Sequence, residues 1–99
     1  MSTTARTEDV VRQRAEWMRP IDERIMETMR DEGNLTPHAL DETFDVTAAN
    51  HASNRLSKLA EYGLVERLGR GLYRLTDDGR AFLDEKLDAS ELDPVDDLS

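Results

Sequence analysis

The stretch from Thr47 to Leu75, TAANHASNRLSKLAEYGLVERLGRGLYRL, decides the fold. Thr47 offers a side-chain oxygen to cap the first turn of a helix, the run Ala48 to Tyr62 contains neither Gly nor Pro, and Gly63 supplies the left-handed residue on which helices end. At about 100° per residue, Ala52, Leu56, Leu59 and Gly63 share one stripe, while Asn50, His51, Asn54, Ser57, Lys58 and Glu61 fall opposite it. The first face packs and the second meets solvent or a partner. Beyond Gly63, Leu64 to Leu68 and Leu72 to Leu75 are short strand-prone runs. Gly69-Arg70-Gly71 joins them, its glycines permitting the positive φ of a tight hairpin loop and holding Arg70 out at the tip.

The polar face of the helix carries amide, hydroxyl, imidazole and ammonium groups, and these suit base edges. Asn pairs bidentately with adenine, Ser donates or accepts at any base, and Lys58 reaches guanine or phosphate. An ordinary solvated face has a similar composition. The hairpin shifts the balance, because an Arg between two glycines at the end of a ribbon suits a narrow, strongly negative minor groove, with Arg67 and Arg74 flanking it on phosphates. The candidate nucleic-acid contacts are therefore Thr47, Asn50, His51, Ser53, Asn54, Arg55, Ser57 and Lys58 on the helix and Arg67, Arg70 and Arg74 on the hairpin.

The run LSKLAEYGLVERLGRGLYRLTDDGRAFL, Leu56 to Leu83, resembles the second half of a winged helix-turn-helix regulator, in which Leu-x-x-Leu, Gly-Leu-Val, the wing and Leu-Thr-x-x-Gly recur in that order. More narrowly, WMRPIDERIMETMRDEGNLTPHAL, Trp17 to Leu40, resembles the phage phiH repressor-like family of haloarchaea. The resemblance spans roughly Trp17 to Leu87 and implies a DNA-binding regulator without implying its DNA site.

A chain of 99 residues is the size of one domain, small enough that dimerisation would help its stability. Cys is absent, which excludes disulfides and thiolate metal sites and fits a reducing cytoplasm. The apolar runs are too short for a membrane span or a signal peptide. Net charge is −9, unusual for a DNA binder. Thr47 to Thr76 nevertheless holds five basic residues (Arg55, Lys58, Arg67, Arg70, Arg74) against two acidic ones (Glu61, Glu66), a local +3. An acidic chain with only two Lys among 13 basic residues resembles proteins of cells that keep molar salt inside. There charge is screened over about 3 Å and counterion release contributes little to DNA affinity.

Taken in order, residues 1–7 are expected to be disordered, and 8–18 to form a weakly amphipathic helix through Val10, Val11, Ala15, Trp17 and Met18. Pro20 opens a helix ending at Gly33, and Asn34-Leu35 suits a very short strand against the wing. Thr36-Pro37 caps and opens a short helix to about Thr43, and Asp45-Val46 turns into the long polar-faced helix. Thr76 caps a last helix running through Leu87, and 88–99 reads as an acidic disordered tail. The fold class is mainly α with a small β-hairpin wing, a winged helix-turn-helix over 8–87. The function expected is a sequence-specific transcriptional regulator, a repressor, with the helix in the major groove of double-stranded DNA and the Arg-tipped wing in the minor groove. A homodimer is expected through the helix of residues 8–18, the helix of residues 76–87, or both, with Val10, Val11, Trp17, Phe82 and Leu87 available for it. The alternative is a winged-helix protein-interaction module that touches no DNA. Nothing in the pattern suggests an enzyme, a cofactor, a small-molecule ligand or a membrane, and His38 and His51, the only histidines, lack the companions a zinc site needs.

Overall fold

The computed structural model of the protein describes residues 12–95. Pro20 opens helix α1 (Pro20–Glu32), where its missing N–H costs nothing, and it holds Arg19 extended at φ −123° and ψ 156°. Ile25, Met26 and Met29 turn into the core. Thr36 accepts the Ala39 N–H at 3.0 Å and so caps α2 (Pro37–Glu42). Asp45, at φ 52°, makes the turn into α3 (Ala49–Glu61), whose buried stripe is Ala52, Leu56 and Leu59 as the spacing predicts.

The cap of α3 differs from the expected one. The N-cap position is Ala48, not Thr47, and the carboxylate of Asp41 in α2 accepts the Ala49 N–H at 3.0 Å. The first helix of the helix-turn-helix thus caps the second, placing negative charge at the positive end of the α3 dipole. Such a cap contributes about 0.5–2 kcal/mol.

After α3, strands β1 (Val65–Gly69) and β2 (Leu72–Leu75) pair antiparallel, with Val65 opposite Leu75, Arg67 opposite Tyr73 and an irregularity between Arg67 and Gly69. Leu35 pairs with Tyr73 on the other edge of β2 through two 3.0 Å backbone bonds, the short strand foreseen at Asn34-Leu35. Helix α4 (Asp77–Leu83) follows at once. Thr76 accepts the Gly79 N–H at 3.0 Å, and its hydroxyl lies 2.7 Å from the Gly63 carbonyl and 2.9 Å from that of Leu64. Gly79 lets α4 approach closely, since a Cβ there would sit 2.2 Å from the Leu64 carbonyl oxygen. The Leu-Thr-x-x-Gly pattern is therefore a joint locking the wing and α4 onto the end of α3.

Three expectations need correction. Residues 12–18 are not helical: the Gln13 carbonyl accepts the Ala89 N–H at 2.8 Å, and Arg12 donates to the Leu83 carbonyl and to Glu23 and Glu27 of α1. Backbone and side chains of this segment are spent on tertiary partners. The last helix stops at Leu83 instead of Leu87. The acidic tail is ordered as far as Val95: Asp88 caps a short 3-10 turn (Ala89–Glu91), Ala89 is fully buried, and Leu92 packs against the core. The expectations for residues 1–7, for Val10 and Val11, and for 96–99 lie outside the described residues.

Candidate nucleic-acid interface

Because Ala52, Leu56 and Leu59 face inward, helical geometry presents Asn50, His51, Asn54 and Ser57 to solvent, and all four are exposed. Thr47 and Ser53 are half-buried at the edge of this face. The Asn50 side-chain oxygen accepts the His51 N–H at 2.9 Å, so that amide is partly engaged locally. No described residue hydrogen-bonds the Asn54 amide, which leaves both its donor and its acceptor available.

Arg55 was expected on this surface and is not there. Its Nε donates to Asp22 Oδ1 at 2.8 Å and its Nη2 to Asp22 Oδ2 at 2.7 Å and to the Trp17 carbonyl at 3.0 Å. Asp22 is fully buried in α1 and also accepts the Arg19 N–H at 2.9 Å. The hydrogen bonds that Arg55 donates to Asp22 raise the guanidinium pKa above its ordinary value, outweighing desolvation, so the charge is fixed. A planar fork meets a carboxylate bidentately here, and the pair clamps α3 to α1 behind the exposed face.

The other cations divide into paired and unpaired. Lys58 lies 3.7 Å from Glu61 and 5.5 Å from the Tyr62 ring centroid, and Arg74 Nε donates to Glu66 at 2.6 Å. The Arg67 guanidinium lies 5.9 Å from the Tyr73 ring centroid. Arg70 occupies the exposed turn between Gly69 at φ 136° and Gly71 at φ 77°. Among the described residues neither Arg67 nor Arg70 has an ion-pair partner. The basic surface offered by the helix and wing is thus narrower than the charge count suggests.

Two features escaped the sequence. Asp41 positions the start of α3, and no local rule links it to a position eight residues on. Leu68 and Leu72 stay exposed on the wing, at 45% and 37%, where alternation alone would have buried one of them; the strand irregularity between Arg67 and Gly69 displaces the register. The apolar residues expected at a dimer interface are used within the chain: Phe82 is fully buried, Leu87 packs against the core, and Trp17 stacks on Tyr62 at 4.5 Å between centroids. Among the described residues no group of three or more His, Cys, Asp or Glu is arranged to hold a metal ion. Among the described residues no helix is long and apolar enough to cross a membrane.

The same architecture is found in a known relative. The crystal structure of the PhiH1 repressor-like protein from Haloarcula marismortui matches with a TM-score of 0.79 and 34% sequence identity, covering 86% of this chain and 98% of that one. No curated protein matches the chain. The winged helix-turn-helix phage repressor family matches residues 11–95, from the segment that Arg12 ties down to the Val95 end of the described tail. With its helix-turn-helix, its Arg-tipped hairpin and this match across nearly the whole length, the chain belongs to the winged helix-turn-helix phage repressor family.

Proposed function

We propose that the protein is a sequence-specific transcriptional repressor that occupies operator DNA, with α3 in the major groove and the hairpin tip in the adjacent minor groove. The observation that carries this is the exposed Asn50, His51, Asn54 and Ser57 face beside a hairpin whose tip residue, Arg70, has no ion-pair partner among the described residues. Asn54 is the principal base reader, Asn50 and Ser57 support it, and Arg67 contacts phosphate. The likeness to a repressor-like protein of Haloarcula and the acidic, Lys-poor composition support work in the salt-rich cytoplasm of a halophilic archaeon. Two copies on adjacent half-sites, about 34 to 36 Å apart or a multiple of that, would extend the short stretch that one helix reads. Light scattering with and without operator checks this, and a monomer bound alone would remove it.

The direct test begins with selection of bound sequences from random DNA in molar KCl, followed by isotherms on cognate and scrambled duplexes. Asn54→Ala is expected to lose about 1–3 kcal/mol on the cognate site and little on the scrambled one. Arg70→Ala is expected to lose most on sites with a narrow minor groove. Cognate affinity unchanged in both variants would remove α3 and the wing from the mechanism. The exposed Leu68 and Leu72 favour a second reading, a protein-interaction module docking through the wing. That reading expects no selected sequence to emerge at all.

A further inference from the structure

A helix in the major groove and a hairpin in the neighbouring minor groove straddle one sugar–phosphate strand, because a strand is what separates two adjacent grooves. Between α3 and the hairpin lies a cleft of about 370 Å³ lined by Ser57, Glu61, Arg67, Tyr73 and Val95. Its groups for a phosphate are the Ser57 hydroxyl and the Arg67 guanidinium, the latter without an ion-pair partner among the described residues. The C-terminal segment forms one wall of this cleft. The Val95 N–H donates to the Glu61 carbonyl at 2.7 Å, at the last turn of α3, and Val95 Cγ1 lies 3.4 Å from where a Cβ on Gly63 would sit.

This seating is held from upstream by Ala89, fully buried, and by Leu92 against the core. Val95 itself remains 50% exposed, so the contact is shallow enough to be given up. Asp93 precedes Val95, and Asp96 and Asp97 follow it in the sequence. The acidic Asp93 thus stands two residues from a wall of the cleft through which a polyanion strand would pass.

We propose that the cleft between α3 and the hairpin seats one sugar–phosphate strand of the duplex, and that in the free protein the C-terminal segment at Val95 narrows this seat, so that DNA must push it aside. The proposal rests on the DNA-binding reading above and adds a competitor to it. A contact to the strand carries no base information, so displacement weakens operator and random DNA alike. Its effect is to push the weaker, non-specific binding below the level at which it holds the protein.

The test compares the full chain with a variant lacking Pro94–Ser99, on operator and random duplexes, after circular dichroism shows both folded in the same salt. The deletion is expected to tighten binding to both duplexes by about three- to tenfold, the range that loss of roughly one net hydrogen bond and its apolar contact corresponds to. Hydrogen exchange on the unaltered full chain supplies an independent readout, with faster exchange at Val95 when saturating operator is added. If the full chain binds DNA but the deletion leaves both affinities unchanged, and exchange at Val95 stays the same or slows, the tail is no competitor and the proposal falls alone. If neither protein binds any duplex in dilute or molar KCl, the DNA-binding reading falls and takes the proposal with it.

Discussion

One guanidinium joins three parts of the chain: Arg55 on α3 holds Asp22 of α1 with two nitrogens and the Trp17 carbonyl of the N-terminal segment with one of them. Removing it leaves a fully buried carboxylate without its countercharge. Arg55→Ala is expected to cost about 3–5 kcal/mol of stability, measured by denaturant unfolding at fixed KCl, while the folded fraction keeps its DNA affinity. Unchanged stability with lost DNA binding would instead make Arg55 a DNA contact. Its neighbour Asn54 has the opposite profile, exposed and unsupported by the core. Sequence could not separate the two, since helical phase places Arg55 at the border of the stripe and Asp22 lies 33 positions away. The exposure of Asn54, Ser57 and Arg70, by contrast, was legible, because helical phase and a Gly-flanked turn act within a few residues.

At the level of elements, the joint at Thr76 and Gly79 shows how a short pattern becomes architecture. Replacing a helical Gly by Ala ordinarily stabilises by about 1 kcal/mol. At position 79 the added carbon would meet the Leu64 carbonyl oxygen at 2.2 Å and Leu75 Cδ1 at 2.6 Å, and the backbone partner cannot swing away. Gly79→Ala is therefore expected to destabilise by about 1–3 kcal/mol, read as a lower denaturation midpoint; a raised midpoint would show that α4 does not need this approach. Helices α1, α2 and α3 and the hairpin were legible because caps, Pro, Gly and apolar spacing are local signals that agree with one another. The segment 12–18 was misread as a helix because its amphipathic pattern was weak and its ends are taken up elsewhere, with Gln13 bridging to Ala89 and Pro20 forcing Arg19 extended. The tail was misread for the converse reason. Acidic composition argues for disorder, but the single buried Ala89 and the partly buried Leu92 tie it down, and composition does not register two anchors.

At the scale of the whole molecule, several basic side chains of the described residues are held in internal ion pairs before any partner arrives. Burial alone would lower the Arg12 pKa, yet hydrogen bonds with Glu27 and Glu23 outweigh this and the net displacement is upward. Arg14 pairs with Glu23 and Arg30 with Asp84 at 3.3 Å, as Lys58 and Arg74 pair on the candidate DNA surface. To reach phosphate, Lys58 or Arg74 must leave a carboxylate facing the duplex, so Arg67 and Arg70 are the cations ready to act. At about 0.9 counterion per phosphate neutralised, log affinity against log salt is expected to fall with a slope of about −2 for each chain bound. A slope of about −4 or steeper in a titration with KCl would mean that the paired cations exchange partners. The stack of Trp17 on Tyr62, with planes 21° apart, has a consequence of another kind. Trp17 is the only Trp in the chain, and with Tyr62, Ser90 and Leu92 it lines a shallow cavity where the N-terminal segment, the end of α3 and the C-terminal segment meet. The molecule therefore carries a built-in optical probe at that junction: loosening the Leu92 segment admits water to the indole, and its emission shifts to longer wavelength without any dye attached.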